Sequence, residues 1–268
     1  QEPRPSRGLR GWLTDRLARY MSEPVGHYDL RAPNDFERLK ATIRKGDVLL
    51  VEGDQRVSAI IKYLTRSSWS HAVLYIGDEL LRRDDELKRR SRETFGDAAE
   101  HLIVEALFDG VVASSLAKYI DFNVRLCRPH RLRSDHLKIV LDDAVAAIGW
   151  RYDLRNILDL AAHLIFVTLL PRRHREEVLR FGSGASSRVI CTSLLGQLFH
   201  KVGFPVLPSV TYPEESGVEE TRIRRRPWSL IVRRRRTLGS GLYRRRHPTL
   251  LTPRDFDLSP YFQIVKFN

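Results

Sequence analysis

The sequence predicts an α+β fold in which an antiparallel sheet packs against helices. Short β-rich runs at residues 101–107, 110–113 and 124–128 follow one another with only turns between them, which favours antiparallel pairing. Segments with apolar residues at helical spacing stand before and after these runs. A chain of 268 residues with 42% hydrophobic composition is long enough to fill one core around such a sheet.

The elements before the sheet begin with a predicted basic amphipathic helix over residues 8–21, which either docks on the body of the protein or contacts a membrane surface. With its linker it forms a predicted N-terminal segment, residues 1–34. Asp35 can cap a short helix that runs through Ile43. The sequence then predicts a strand in VLLVEG, a helix over residues 55–65 and a strand over residues 71–77.

The later elements are predicted from the same periodicities. The charged residues 78–99 are expected to form a long hairpin or loop insertion. Helices are expected over residues 134–148, 153–169, 174–181 and 189–199, and a last strand over residues 261–267. The apolar stripe of the first of these helices comprises Ile139, Leu141, Ala144, Val145 and Ile148.

The charge of the chain is strongly positive: 46 Lys and Arg against 33 Asp and Glu give a formal charge of +13. An arginine-rich insertion at about 222–247 contributes much of this excess. It lies within a single domain that is predicted to span residues 35–268. A positively charged surface favours anionic partners, including phospholipid headgroups, nucleic acid and acidic glycans. The alternative interpretation of the arginine-rich insertion is a solvated surface loop.

The cysteine and histidine spacings predict no metal site and no cofactor. Two cysteines are too few for a disulfide framework and lack zinc spacing, and the histidines show no HxxxH pattern. No phosphate-binding glycine loop is present. The longest apolar run, residues 157–170, is shorter than the roughly 20 residues that a spanning helix needs. We therefore expect a soluble or peripheral protein, and the two cysteines exclude neither a reducing nor an oxidising compartment.

Cys191 is the candidate nucleophile because it lies at the predicted start of a helix. The partial positive charge there and a nearby imidazole both favour the thiolate, although a buried structural cysteine is the competing interpretation. His71 begins an apolar strand directly after Ser-Ser-Trp-Ser, where its ring can face a cleft. Glu105 lies inside an apolar strand, where a carboxylate must be paired or functional. If the strands of His71 and Glu105 are neighbours, the carboxylate can orient the imidazole.

The order of these three residues and the segments around them resemble a known family. His71 lies within GDVLL…SHAVLYIG, Glu105 within IVEA and Cys191 within VICTSLLGQLF. Together with the helix start at 152–156 and the closing TPRDFDLSP, this resembles the circularly permuted branch of the NlpC/P60 papain-like superfamily, with its YiiX/YebB-like and lecithin-retinol-acyltransferase-like members. The resemblance runs from about Lys45 to Lys266.

The resemblance implies a permuted papain-like fold in which the nucleophile helix packs on the sheet that holds the histidine. It assigns the nucleophile to Cys191, the general base to His71 and the polar orienting residue to Glu105. Cys191 is followed by Thr192, where the family commonly has serine, so a hydroxyl is kept. Thr192, Ser70 and Tyr152 are the candidate substrate-binding residues, with turn capping or core packing the favoured alternative for Tyr152.

The function expected from this site is hydrolysis or acyl transfer at an amide or ester carbonyl through a thioacyl intermediate. The substrate is either a membrane-proximal lipid or lipid-linked molecule, which the basic surface favours slightly, or a cell-wall peptide. The alternative is a non-catalytic module that binds an anionic membrane surface or nucleic acid through the arginine-rich insertion. Because no nucleic-acid-binding motif accompanies the arginines, we expect no nucleic-acid partner.

Overall fold

A six-stranded sheet forms the centre of the protein. The computed structural model describes residues 16, 19–26, 28–107, 110–150, 190–211, 242–245 and 251–267. The strands are β1 (Val48–Val51), β2 (His71–Gly77), β3 (Leu102–Leu107), β4 (Gly110–Ser115), β5 (Val124–Pro129), β6 (Pro208–Thr211), β7 (Leu242–Arg245) and β8 (Phe262–Val265). The main sheet has the order β4-β3-β2-β1-β5-β8 with every pair antiparallel, and β6 and β7 form a separate antiparallel pair.

Helices cover both faces of the main sheet. They are α1 (Phe36–Thr42), α2 (Arg56–Thr65), α3 (Asp85–Phe95), α4 (Ser134–Ala146), α5 (Ile190–Lys201) and α6 (Pro253–Asp257), with 3-10 helices at Glu79–Arg82, Gly96–Glu100 and Leu116–Tyr119. The fold is therefore α+β, as the sequence predicts. None of the described helices is long and apolar enough to cross a bilayer.

The two faces of the sheet bury separate apolar clusters. One face packs against α4, α5 and α6 through side chains such as Leu141, Leu195 and Phe256, and we call it the α5 face. The other packs against α1 and the 3-10 helix Leu116–Tyr119, and we call it the α1 face. Residues alternate between these faces along each strand, so the register decides which cluster a side chain joins.

Several local predictions are confirmed. Asp35 caps α1, since its carboxylate accepts a hydrogen bond from the backbone N–H of Arg38. The predicted strands before and after α2 are β1 and β2, and the three β-rich runs are β3, β4 and β5. The predicted helix at 189–199 is α5, and the last predicted strand contains β8.

The prediction of a hairpin or loop at residues 78–99 is wrong, because this segment is helical. The carboxylate of Asp84 caps α3 by accepting from the backbone N–H of Leu87. Along the helix Arg89 pairs with Glu86 and with Glu93. The cap and the ion pairs one turn apart stabilise this helix although it has almost no apolar stripe. A prediction based on hydrophobic periodicity therefore does not detect it.

The predicted apolar stripe of α4 is also wrong at one position. Ile139 is 40% exposed, whereas Val140 is buried beside Leu141 and Ala144. Of the predicted N-terminal helix, residues 19–22 are described and helical, with Met21 buried. The predicted helices 153–169 and 174–181, most of residues 8–21 and nearly all of the arginine-rich insertion lie outside the described residues.

Candidate active site

His71 is the first residue of β2 and stands at one end of the sheet. Val51 pairs with His71 on one side and with Val124 on the other, and we call this end the His71 end. Since paired residues share a face and Val51 belongs to the α1 cluster, the His71 ring lies on the α1 face. The ring is 17% exposed and is 6.0 Å, centroid to centroid, from that of Tyr119.

Glu105 is the buried partner of His71. Its carboxylate has no solvent exposure, and its Oε2 lies 3.0 Å from His71 Nε2. The Tyr119 hydroxyl donates to the same oxygen at 2.5 Å, and the Lys118 ammonium donates to Oε1 at 2.6 Å. The Ser114 hydroxyl supplies a further hydrogen bond. Four donors thus surround a carboxylate that has room for about four.

These donors keep Glu105 ionised in spite of its burial. Burial is the largest influence on the carboxyl group and acts to raise its pKa, but the hydrogen bond and charge of His71, with the bonds from Lys118 and Ser114, outweigh it. The pKa of Glu105 is therefore held far below its usual range. An ionised Glu105 accepts a hydrogen bond from Nε2–H and so fixes the imidazole tautomer with Nδ1 as the basic nitrogen.

The direction of α5 follows from its packing. Phe199, near its C-terminal end, packs edge-on against Phe262 of β8 with 5.3 Å between centroids. Phe262 pairs with Pro129, at the end of β5 opposite to the His71 end. Because the helix also contacts β2 and β3, it runs from these central strands toward β8, and its first turn lies on the side of β2 and β3.

Cys191 is the second residue of α5, and its side chain lies outside the description. The strand residues that follow His71 and Glu105 are Ala72 and Ala106, which belong to the core cluster that α5 helps to form. Small side chains at these positions permit close approach of a helix. Cys127, by contrast, is fully buried in β5, and burial raises the pKa of its thiol to about 12.

The candidate substrate-binding residues have structural contacts. The buried Ser70 hydroxyl accepts from the backbone N–H of Gly53 at 2.9 Å and thereby ties the end of β1 to the start of β2. The buried Thr192 hydroxyl donates to the Leu251 carbonyl at 2.5 Å and anchors the first turn of α5. Tyr152 lies outside the described residues. A role in substrate binding stays a prediction for all three.

Lys118 and Tyr119 are the members of the site that the sequence analysis missed. They follow β4, which pairs with β3, and the 3-10 helix that contains them folds back over Glu105. The usable signal was the buried carboxylate itself, since an ionised group inside a strand requires a cation or several donors nearby. No sequence spacing identifies which residues supply them.

Within the described ranges, no group of three or more His, Cys, Asp or Glu side chains is arranged to hold a metal ion. The described part of the candidate site offers the imidazole of His71, the carboxylate of Glu105, the ammonium group of Lys118 and the phenol of Tyr119. Of these, the imidazole is the group suited to proton transfer near neutral pH.

Comparisons with known proteins give little direct guidance. No family model and no curated protein matches this chain. Among solved structures, the crystal structure of the metalloprotein YiiX from Escherichia coli O157:H7 is similar, with a TM-score of 0.43 and 14% identity over 84% of this chain and 97% of that chain. A likeness this weak carries no argument about chemistry or metal binding.

Proposed function

We propose that this protein is a cysteine hydrolase or acyltransferase with a circularly permuted papain-like fold, in which Cys191 is the nucleophile, His71 the general base and Glu105 the orienting group. The observation that carries the proposal is the partly buried hydrogen bond between Glu105 and His71 at the start of β2. A buried carboxylate that fixes an imidazole is the base-and-orienter half of a nucleophilic site. The helix that contains Cys191 packs on the same two strands.

The proposed reaction begins with transfer of the Cys191 thiol proton to Nδ1 of His71. The thiolate attacks the carbonyl carbon of an amide or ester, and collapse of the tetrahedral intermediate breaks the bond to nitrogen or oxygen. The leaving group takes the proton from the imidazolium, and a thioacyl enzyme remains. Water or an acceptor alcohol or amine then attacks the thioester carbonyl while His71 accepts its proton. Collapse of this second tetrahedral intermediate breaks the C–S bond and releases the acyl product, and the imidazolium returns the proton to the Cys191 thiolate.

One geometric condition applies to this pairing. The His71 ring is on the α1 face, whereas α5 packs on the α5 face. The proposed proton transfer therefore requires the Cys191 thiol and the His71 ring to meet at the His71 end of the sheet, where neither face separates them. His71 is the first residue of β2, so no strand continues beyond it on this side. This position supports an approach to the ring from the end of the sheet.

The substrate class that we favour is a membrane-proximal lipid or lipid-linked ester or amide, with a cell-wall peptide as the alternative. The positive charge of +13 supports a substrate near an anionic surface. Incubation with phospholipids and, separately, with murein peptides tests the two classes. A mass increase on Cys191 equal to an acyl group, absent in Cys191→Ala, would identify both the nucleophile and the substrate class.

The test of the nucleophile itself needs no substrate. Iodoacetamide at neutral pH, followed by peptide mass spectrometry, compares the labelling rates of Cys191 and Cys127 in one sample. We expect Cys191 to react at least about tenfold faster, because the thiolate is the reactive form and burial suppresses it at Cys127. His71→Ala should slow the labelling of Cys191 relative to the wild-type protein, whereas the part of the difference that comes from the burial of Cys127 should remain.

The matched control is His136→Ala, which removes a histidine of α4 that none of the described bonds connects to Glu105. It should leave the labelling rate of Cys191 unchanged. Equal and slow labelling of both cysteines in the wild-type protein would overturn the proposed function. Fast labelling of Cys191 that is unaffected by His71→Ala would overturn the pairing with His71.

A further inference from the structure

The carboxylate of Glu105 is shared between two cationic or cation-forming groups. His71 bonds to Oε2 and Lys118 to Oε1, so the carboxylate lies between the imidazole and the ammonium group. Tyr119 adds a neutral donor to the oxygen that His71 uses. Lys118 is 40% exposed while Glu105 has no exposure, so this lysine connects a buried charge to the solvent.

This arrangement limits how strongly Glu105 can stabilise an imidazolium. A lone buried carboxylate beside a histidine would favour the protonated ring strongly. Here one positive charge already balances the carboxylate, and protonation of His71 leaves a net positive group in a buried place. Lys118 therefore works against the imidazolium while it keeps the carboxylate ionised and in position.

We propose that Lys118 is a positioning residue that sets the pH at which His71 exchanges its proton, through its bond to the far oxygen of Glu105. Its value for catalysis rests on the proposed function. A general base is most effective when its proton exchange falls near the working pH. An uncompensated Glu105 would hold the proton on His71 too tightly for its return to a leaving group.

The charged and titratable groups around this network are few in the described part of the chain. Glu105 comes from β3, and Lys118 and Tyr119 come from the 3-10 helix, while Ser114 of β4 and Val51 of β1 are neutral. Cys191 of α5 is the other titratable residue of the proposed site. A titration of His71 is therefore cleanest in a Cys191→Ala background, where the Cys191 thiol cannot ionise beside the ring.

The experiment is a pH titration of the His71 ring by nuclear magnetic resonance in protein labelled with nitrogen-15 at histidine. His71→Asn identifies the signal by its loss. In the Cys191→Ala background we expect Lys118→Met to move the titration midpoint of His71 upward by about 1 pH unit. The reason is that the variant removes a positive charge held on the other oxygen of the same carboxylate, where solvent screens it only in part. Lys118→Arg keeps the charge and should leave the midpoint near that of the parent.

Lys88→Met is the matched control, because it removes an exposed lysine of α3 that takes no part in the network. It should not move the midpoint. A midpoint in Lys118→Met that stays at the parental value or moves downward would overturn the proposal. If that variant does not fold, Lys118→Gln is judged by the same criterion.

This titration and the labelling test fail independently. The midpoint reports on Lys118 and Glu105 whether or not Cys191 is a nucleophile, and the labelling ratio reports on Cys191 whether or not Lys118 matters. A midpoint shift without fast labelling would retain the electrostatic role of Lys118 and reject the enzyme. Fast labelling without a midpoint shift would retain the enzyme and reject this role for Lys118.

Discussion

His71 Nε2 lies 3.0 Å from Glu105 Oε2 across two neighbouring antiparallel strands. Leu74 pairs with Val104, and this register continued along the strands places Glu105 opposite Val73, on the same face as His71. The bond between the two side chains is therefore diagonal, over a distance that long side chains can span. A shift of the register by one residue would put the two groups on opposite faces and separate them.

The first prediction concerns the stability that Glu105 provides. Glu105→Ala leaves the Lys118 ammonium, the Tyr119 hydroxyl and the His71 ring without their shared acceptor, and we expect the free energy of unfolding to fall by about 3 to 5 kcal/mol. Glu105→Gln keeps the volume and one acceptor oxygen and should cost less. Urea denaturation measures both.

Glu100→Ala is the matched control, because this exposed glutamate lies just before β3. It should change the free energy of unfolding by less than about 0.5 kcal/mol, as surface substitutions do. A loss below about 1 kcal/mol for Glu105→Ala would contradict the view that the four donors depend on this carboxylate.

The second prediction concerns the acid range. Because the pKa of Glu105 in the folded protein is lower than its usual 4.5, the ionised carboxylate stabilises the fold fully above that value. This stability is lost as the pH falls through the folded pKa. We expect the difference in unfolding free energy between wild type and Glu105→Gln to be larger at pH 5 than at pH 3. A difference that is constant or grows toward pH 3 would show that Glu105 is not held ionised.

The pairing of His71 with Glu105 was predictable from the sequence, and the residues that surround the pair were not. A histidine at a strand start and a carboxylate inside an apolar strand are unusual enough to be singled out, and the prediction needed only that the two strands be neighbours. Lys118 and Tyr119 become visible only when β4 returns along β3, because their spacing from Glu105 carries no periodic signal. Which face each residue occupies also depends on the register, which turn signals alone do not fix.

The helix α3 illustrates a second reason for failure. Its stability comes from a cap and from ion pairs such as Glu86 with Arg90, whereas prediction by apolar spacing searches for a buried stripe. In this helix Ser91 is the buried residue, and it is polar. A charge pattern at intervals of three and four residues would have indicated a helix here.

The third prediction tests the cap of α3. Asp84→Ala removes the acceptor for the backbone N–H of Leu87 and should lower the free energy of unfolding by about 1 kcal/mol. Asp85→Ala is the matched control, since it removes an equal charge from the next position without removing the capping bond. Thermal or urea denaturation of both variants gives the comparison. Equal losses would assign the effect to the charge near the helix start and not to the cap.

The fourth prediction concerns the close packing around Gly53, which follows β1 and contacts both Ser58 of α2 and Ser70. A β-carbon added at Gly53 would lie 2.3 Å from the Ser58 hydroxyl oxygen and 3.0 Å from that of Ser70. Gly53→Ala must therefore turn the buried Ser58 hydroxyl to another rotamer, and the Ser58 β-carbon, 3.1 Å from the added carbon, must also give way slightly. We expect a loss of about 1 to 3 kcal/mol, the range for overpacking.

A double-mutant cycle separates this clash from other effects of an alanine at Gly53. Ser58→Ala removes the nearest atom, so the double variant should recover part of the stability that Gly53→Ala loses, and the two changes should not be additive. The Ser58 β-carbon, 3.1 Å from the added atom, remains, so recovery should be incomplete. Additive losses would mean that the two residues are not in contact.

The backbone N–H of Gly53 also donates to the hydroxyl of Ser70, the residue directly before His71. The labelling rate of Cys191 in the same variants therefore shows whether the bond between Gly53 and Ser70 positions the imidazole.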